Sequence, residues 1–191
     1  MQSMQSIISR GDAARAPQKL SHEWYGKEIV PAVEYSFSIE GAYLVFRAAQ
    51  AAQAQPHPEG KPGEFKEELW KYDTAEFFIA DAEGKLYMEF NLSPVGAWWA
   101  CVFSAPRVTA PEYGVPQGVQ TTGSLSAEGW ACSARIPLEY LSTLGITPER
   151  CRLAATCILN SPDYVFLTSA EDLSGEPDFH RPHSWPAALC H

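Results

Sequence analysis

The chain has 191 residues and a mass of 21.1 kDa, with 46% apolar and 19% charged residues. That is enough apolar material for one buried core and too much for a disordered tail. Lys and Arg number 14 against 23 Asp and Glu, a net charge of −9 that works against a phosphate-tracking surface, so nucleic acid is not an expected partner. No apolar run approaches the roughly 18 residues of a membrane helix, which leaves no membrane role expected. The first ten residues hold no apolar leader core, which makes a cytoplasmic location the expectation.

Alternation with a period of two starts at residue 33. Val33, Tyr35, Phe37 and Ile39 interleave with Glu34, Ser36, Ser38 and Glu40, and a turn at Glu40-Gly41 leads into a second strand over 42–48. The Ala/Gln/Pro stretch 49–63 has no core pattern and reads as a mobile loop. Strands over 74–80, 85–92 and 98–103 follow, joined by turns at 81–84 and 93–96, as a meander. In the second of these, Leu86, Met88, Phe90 and Leu92 face one way and Tyr87, Glu89 and Asn91 the other. A hairpin over 120–125 and 130–136 precedes one short helix, 137–144, with Pro at its first turn and Gly145 past its end. Strands over 152–159 and 164–168 complete the pattern, and the tail from 171 shows no periodic element. About nine strands, rich in aromatics and bounded by 13 Gly and 15 Pro, predict an all-β chain: a single antiparallel two-sheet sandwich, jelly-roll or immunoglobulin-like, over 1–191.

The chemistry is first bounded by what is absent. There is no GxSxG, P-loop, HExxH, GxGxxG or EF-hand pattern, and no catalytic residue, metal or cofactor is expected. Five Cys without a CxxC pair, four of them inside strands, read as buried thiols without a disulfide. His180 and His183 flank a proline near Cys190 and His191, which suits a solvated tail better than a metal site. Glu76 and Glu89 can face each other on neighbouring strands, the pairing a glycosidase uses, although nothing in the sequence marks either as desolvated. Trp98, Trp99 and Trp130 lie in strands and read as core. Trp70 stands apart: charged residues surround it, and Glu76 follows within the next strand. An exposed indole stacks on the C–H face of a pyranose while a nearby carboxylate accepts its hydroxyls.

Four ordered segments carry a family resemblance: LWKYDTAEFFIA, LYMEFNLSPVGAWWACVFSAPR, GWACSARIPLEYL and PDFHRPHSW. From about Tyr35 to Trp185 the chain resembles the DOMON-like superfamily, and within it the family 9-like carbohydrate-binding modules. The resemblance implies a jelly-roll-like sandwich, without enzyme activity of its own, that holds the end of a mono- or oligosaccharide, or a related small molecule, between two aromatic rings. By position it makes Trp70 one ring, Glu76 the hydroxyl acceptor, Arg107 a basic sugar contact and Asn160 a polar contact. The second ring has no Trp counterpart after Asn160; Ser161, Pro162 and Asp163 come first, and Tyr164 is the nearest aromatic, placed equally well to stack or to fill the core. A haem-binding subset of the superfamily uses Met and His, but Met88 shares the Leu86/Phe90 face and reads as core. A scaffold or partner-binding role without a sugar site, haem binding and weak glycoside hydrolysis are the alternatives.

Overall fold

The computed structural model describes residues 6–10 and 16–190. Its strands are β1 (Ser6–Arg10), β2 (Gln18–His22), β3 (Glu28–Glu40), β4 (Tyr43–Gln50), β5 (Thr74–Asp81), β6 (Tyr87–Leu92), β7 (Trp98–Ala105), β8 (Val108–Thr109), β9 (Gln120–Leu125), β10 (Trp130–Pro137), β11 (Cys151–Leu159), β12 (Val165–Thr168) and β13 (Ala188–Cys190). The one α-helix among the described residues, α1 (Leu138–Thr143), seats Leu141 in the core and ends before Gly145, whose φ of 70° is the left-handed conformation that glycine adopts freely. No helix among the described residues is long and apolar enough to cross a membrane.

The strands form two sheets. One runs β13-β1-β3-β4-β10-β9, with β2 also paired to β3; the other runs β12-β11-β5-β6-β7-β8. This is the expected two-sheet sandwich, with more strands than alternation alone reveals. The additions are short: β1 and β13 pair in parallel at one edge, β2 pairs along β3, and β8 closes the other sheet's edge. Two to five residues leave too little alternation to read, so these strands exist because a longer neighbour offers them an edge.

Between the sheets lies an aromatic ladder. Phe37 stacks on Phe46 at 5.0 Å, Phe46 meets Phe77 at 5.2 Å, Phe77 stacks on Phe90 at 5.2 Å, and Phe90 lies parallel to Trp98 at 5.6 Å. The ladder crosses from β3 and β4 to β5, β6 and β7, joining the two sheets where Phe37 and Phe46 meet Phe77. Met88, 0% exposed, is part of this interior, as its alternation requires. Gly123 has a steric reason: a Cβ there would lie 2.3 Å from the Val95 carbonyl carbon, so only glycine lets β9 pass this close to the 93–96 turn.

A second, smaller cluster lies on the opposite face of the six-stranded sheet. Phe78, Ala80, Tyr87, Phe103 and Ala154 point outward from it and are covered by Trp185, Phe179 and Ala170. The tail that lacks periodicity is therefore a cover, and its apolar residues are spaced by the sheet beneath them.

Within the stretch 49–63, backbone and apolar groups contact the rest of the fold. The Gln55 backbone N–H donates to Asp73 Oδ2 (2.9 Å), and Gln55 carbonyl accepts from the Asp73 N–H (3.0 Å). Ala54 packs on the core, and the Trp98 indole N–H donates to the Gly63 carbonyl (3.2 Å). Its anchors are backbone groups reaching a buried carboxylate, which hydrophobic periodicity does not register.

Candidate functional site

The site is built on the outer face of the six-stranded sheet. In β5, Ala75, Phe77 and Ile79 enter the core, so the alternate residues Glu76 and Phe78 face outward. In β6 the outward set is Tyr87, Glu89 and Asn91; in β7 it includes Trp99, Cys101 and Phe103. The β5–β6 register pairs Glu76 with Asn91 and Phe78 with Glu89, making the two glutamates diagonal neighbours on one face.

Trp70 arrives from outside the sheet. A single 3-10 turn, Leu69–Lys71, buries Leu69 (1% exposed) and thereby turns the next side chain outward. Asp73 fixes the end of this segment, accepting from Gln55 N–H and from both the N–H and the hydroxyl of Ser161, each of the latter at 2.8 Å. Trp70 is 37% exposed and meets the half-buried Trp99 edge to face at 4.9 Å.

These side chains enclose a cleft of about 350 Å³. Trp70, Trp99, Phe103, Phe166 and Phe179 supply aromatic wall, and Glu76, Glu89, His180 and Arg107 supply the polar groups. A larger hollow, about 600 Å³, lies across Gln50, Glu34, Lys19 and Trp130, but its one aromatic ring is 4% exposed and it holds no buried acid. The aromatic cleft is the better candidate for binding.

The electrostatics of the cleft are unusual for a surface. Glu76 is 1% exposed; its Oε2 accepts from the Thr156 hydroxyl (3.1 Å), while its Oε1 is buried without a hydrogen bond. Burial, and then the charge of Glu89, hold the Glu76 carboxyl well above the ordinary carboxylate range, against the pull of Thr156. Burial likewise raises Glu89 to about 7, opposed by Asn91 and by the charge of Arg107. The Asn91 amide is close enough to lower Glu89, yet neither of its polar atoms makes a hydrogen bond of normal geometry. Thus the desolvation that the sequence does not disclose is present in both carboxyls.

His180 completes the floor. Its Nδ1 lies 2.8 Å from the Tyr87 hydroxyl, which also accepts the Arg107 backbone N–H at 3.2 Å. Assigning the Tyr87 proton to Nδ1 places the imidazole N–H on Nε2, which faces Glu89 Oε2 at 3.5 Å. Burial, then the charge of Arg107, depress His180 to about 4 despite Asp178, so at neutral pH the ring is uncharged. Its contact with Glu89 is between neutral groups or a neutral ring and an anion. The exposed Arg107 guanidinium is held by Asp178 at 3.0 Å, at the rim.

Of the residues singled out by sequence, Trp70, Glu76 and Arg107 share this cleft. Asn160 and Tyr164 do not line it. Asn160 is exposed at the end of β11 with a φ of 56°, its carbonyl accepting the Asp163 N–H in a turn (2.8 Å). Tyr164 is 39% exposed and donates to the Lys71 carbonyl (3.2 Å), bracing the backbone beside Trp70. Trp98 and Trp130 are buried as expected, but Trp99 is not core: adjacent strand residues face opposite ways, so burying Trp98 turns Trp99 into the cleft. Glu89, with Trp99, was available from alternation; Phe179 and His180 were not, because the tail's path over the sheet is a tertiary fact. Cys101 is half-buried on the same outer face, and Cys132, Cys151 and Cys157 are buried; all five cysteines are free thiols. His183 is exposed while His180 faces the cleft, His191 lies outside the described residues, and no cluster of three His, Cys, Asp or Glu suited to a metal ion occurs among the described residues.

No protein-family model and no curated protein matches the sequence. Solved structures do match the fold. A Bacteroides uniformis protein proposed to bind carbohydrate gives a TM-score of 0.71 at 13% identity, covering 98% of this chain and 99% of that one. A family 9 carbohydrate-binding module of Caldicellulosiruptor kristjanssonii in complex with cellotriose gives 0.61 at 9% identity, over 97% and 93% of the two chains. One of the same family and organism in complex with glucose gives 0.62 at 10% identity, over 98% and 95%. At these identities the likeness is one of fold: a β-sandwich like that of family 9 modules.

Proposed function

We propose that the chain is a non-catalytic binding module for a mono- or oligosaccharide or a closely related small molecule, and that the aromatic cleft is its site. The observation that carries this reading is the convergence of Trp70, Trp99, Glu76 and Arg107 in one cleft of about 350 Å³. Indole faces match the C–H face of a pyranose, the acids accept hydroxyl protons, and the exposed Arg107 offers donors at the rim. The sugar complexes of structural neighbours support the same reading. Trp99 takes the part of a second ring, without Asn160 or Tyr164 in contact.

Glycoside hydrolysis draws on the buried acid pair but fits the geometry less well. Glu76 and Glu89 rise from adjacent strands on one face of the sheet, whereas hydrolysis needs two carboxyls flanking the scissile bond. Quenching of tryptophan fluorescence by glucose, xylose, cellobiose and cellotriose tests binding, and nitrophenol release from nitrophenyl glycosides tests hydrolysis. Saturable quenching without nitrophenol release is expected. No quenching by any sugar in a glycan panel refutes the proposal.

A further inference from the structure

We propose that the cleft prefers saccharides bearing a protonated amino group, the ammonium seated against Glu76 and Glu89 while the ring lies on Trp70 and Trp99. This rests on the reading of the cleft as a sugar site and concerns what kind of sugar it takes.

The floor of the cleft carries a charge deficit. Two acids occupy one aromatic-walled face, and Glu76 Oε1 is a buried acceptor with no donor. The groups around them from every packed element are Asn91 on β6, Cys101 on β7, Thr156 on β11, Tyr87 at the start of β6, His180 and Asp178 from the tail, and Arg107 from the β7–β8 turn. None but Arg107 is cationic at neutral pH, and its guanidinium is 61% exposed and bound to Asp178. Elsewhere on this protein acids sit beside bases: Glu40 between Arg47 and Arg135, Glu59 with Lys66, Glu68 with Lys71. The two most buried glutamates lack such a partner.

An ammonium answers each part of that deficit. It brings donors to the orphaned oxygen, a counter-charge that lets the two adjoining carboxyls ionise together, and a cation to indole and phenyl faces that attract one. A metal ion is a poorer match, because two carboxyls are the only anionic ligands on this floor and aromatic walls offer no further oxygen donors. A neutral sugar supplies hydroxyl donors and brings no counter-charge to the pair.

Isothermal titration of the whole chain with D-glucosamine, D-glucose and N-acetyl-D-glucosamine decides the matter. At pH 7.0 glucosamine should bind at least about tenfold more tightly than glucose, with N-acetylglucosamine losing the advantage because its amide is neutral. At pH 5.5 the advantage should shrink, since the acids must release protons to receive the cation. The glucosamine-to-glucose ratio should fall toward one in Glu76→Gln and in Glu89→Gln. Glucose binding as tightly as glucosamine to the wild-type chain at pH 7.0 overturns this inference and leaves the sugar site standing. If no sugar titrates at either pH, the sugar site itself is overturned.

Discussion

Replacing Glu89 by glutamine (Glu89→Gln) keeps the length of the side chain and an acceptor for the His180 ring while removing the charge. In the folded chain Glu89 titrates at about 7, raised chiefly by burial, whereas the unfolded chain releases that proton near the ordinary 4.5. Between those values the native state holds a proton that the unfolded state has given up, so stability falls as pH rises through this window. The displacement corresponds to about 3 kcal/mol, and with a side chain only 9% exposed little of it is lost to solvent screening. Variant and wild type should therefore be close in stability at pH 4.5, with the variant ahead by about 3 kcal/mol at pH 8. The difference between the two chains is the quantity to follow, because His180 acts in the opposite sense. Its folded value of about 4 lies below the ordinary 6.5, so the unfolded chain holds the extra proton and stability rises between those two values by a similar amount. The two slopes offset each other in the wild type and hide both. Urea unfolding at pH 4.5, 6 and 8, with slopes compared to confirm that the same surface is exposed, measures the gap. A gap that stays constant with pH, or a variant less stable than wild type at pH 8, refutes the reasoning.

Trp70→Ala should abolish saccharide-dependent fluorescence changes while costing about 2 kcal/mol of stability, below the 3–5 expected of a fully buried ring, because Trp70 is 37% exposed; an unchanged affinity removes it from the site. Asp73→Ala strands three donors and should cost about 3 kcal/mol in urea unfolding, and a loss below 1 would show that the 49–63 stretch is held by other contacts. Without reductant, all five cysteines should react with a thiol reagent in denaturant. In the native protein Cys190 should react first, Cys101 slowly because burial lifts its thiol to about 11, and the three buried cysteines only on unfolding, as time-resolved labelling would show.

The long strands were legible because each has at least one face in the core, and a period of two survives in 33–40, 74–80 and 130–136. The same periodicity sets Glu76, Glu89 and Trp99 on one outer face, although it does not say that this face is covered. What covers it is the tail, whose Phe179, His180 and Trp185 follow no local repeat; their positions answer to Phe78, Tyr87 and Phe103 across the chain. For this reason the carboxyls look solvated in the sequence and are buried in the structure. The family resemblance groups Asn160 and Tyr164 with Trp70; Asn160 lies in the turn at 160–163, outside the cleft lining, and Tyr164 reaches the Lys71 carbonyl beside Trp70.

The pairing of β1 with β13 has a kinetic consequence. Ser6 lies opposite Ala188, and the Ser6 hydroxyl donates to the Leu153 carbonyl (2.5 Å), so contacts of nearly the greatest possible sequence separation close the sandwich edge. Such contacts form late, since loop closure precedes any gain from them, and chains dominated by them fold slowly. Phe179 and His180, which wall the cleft, lie only a few residues before β13. During synthesis from the N-terminus the six-stranded sheet would emerge with its acids open to water, and those acids would lose their solvent only when the last segment docks.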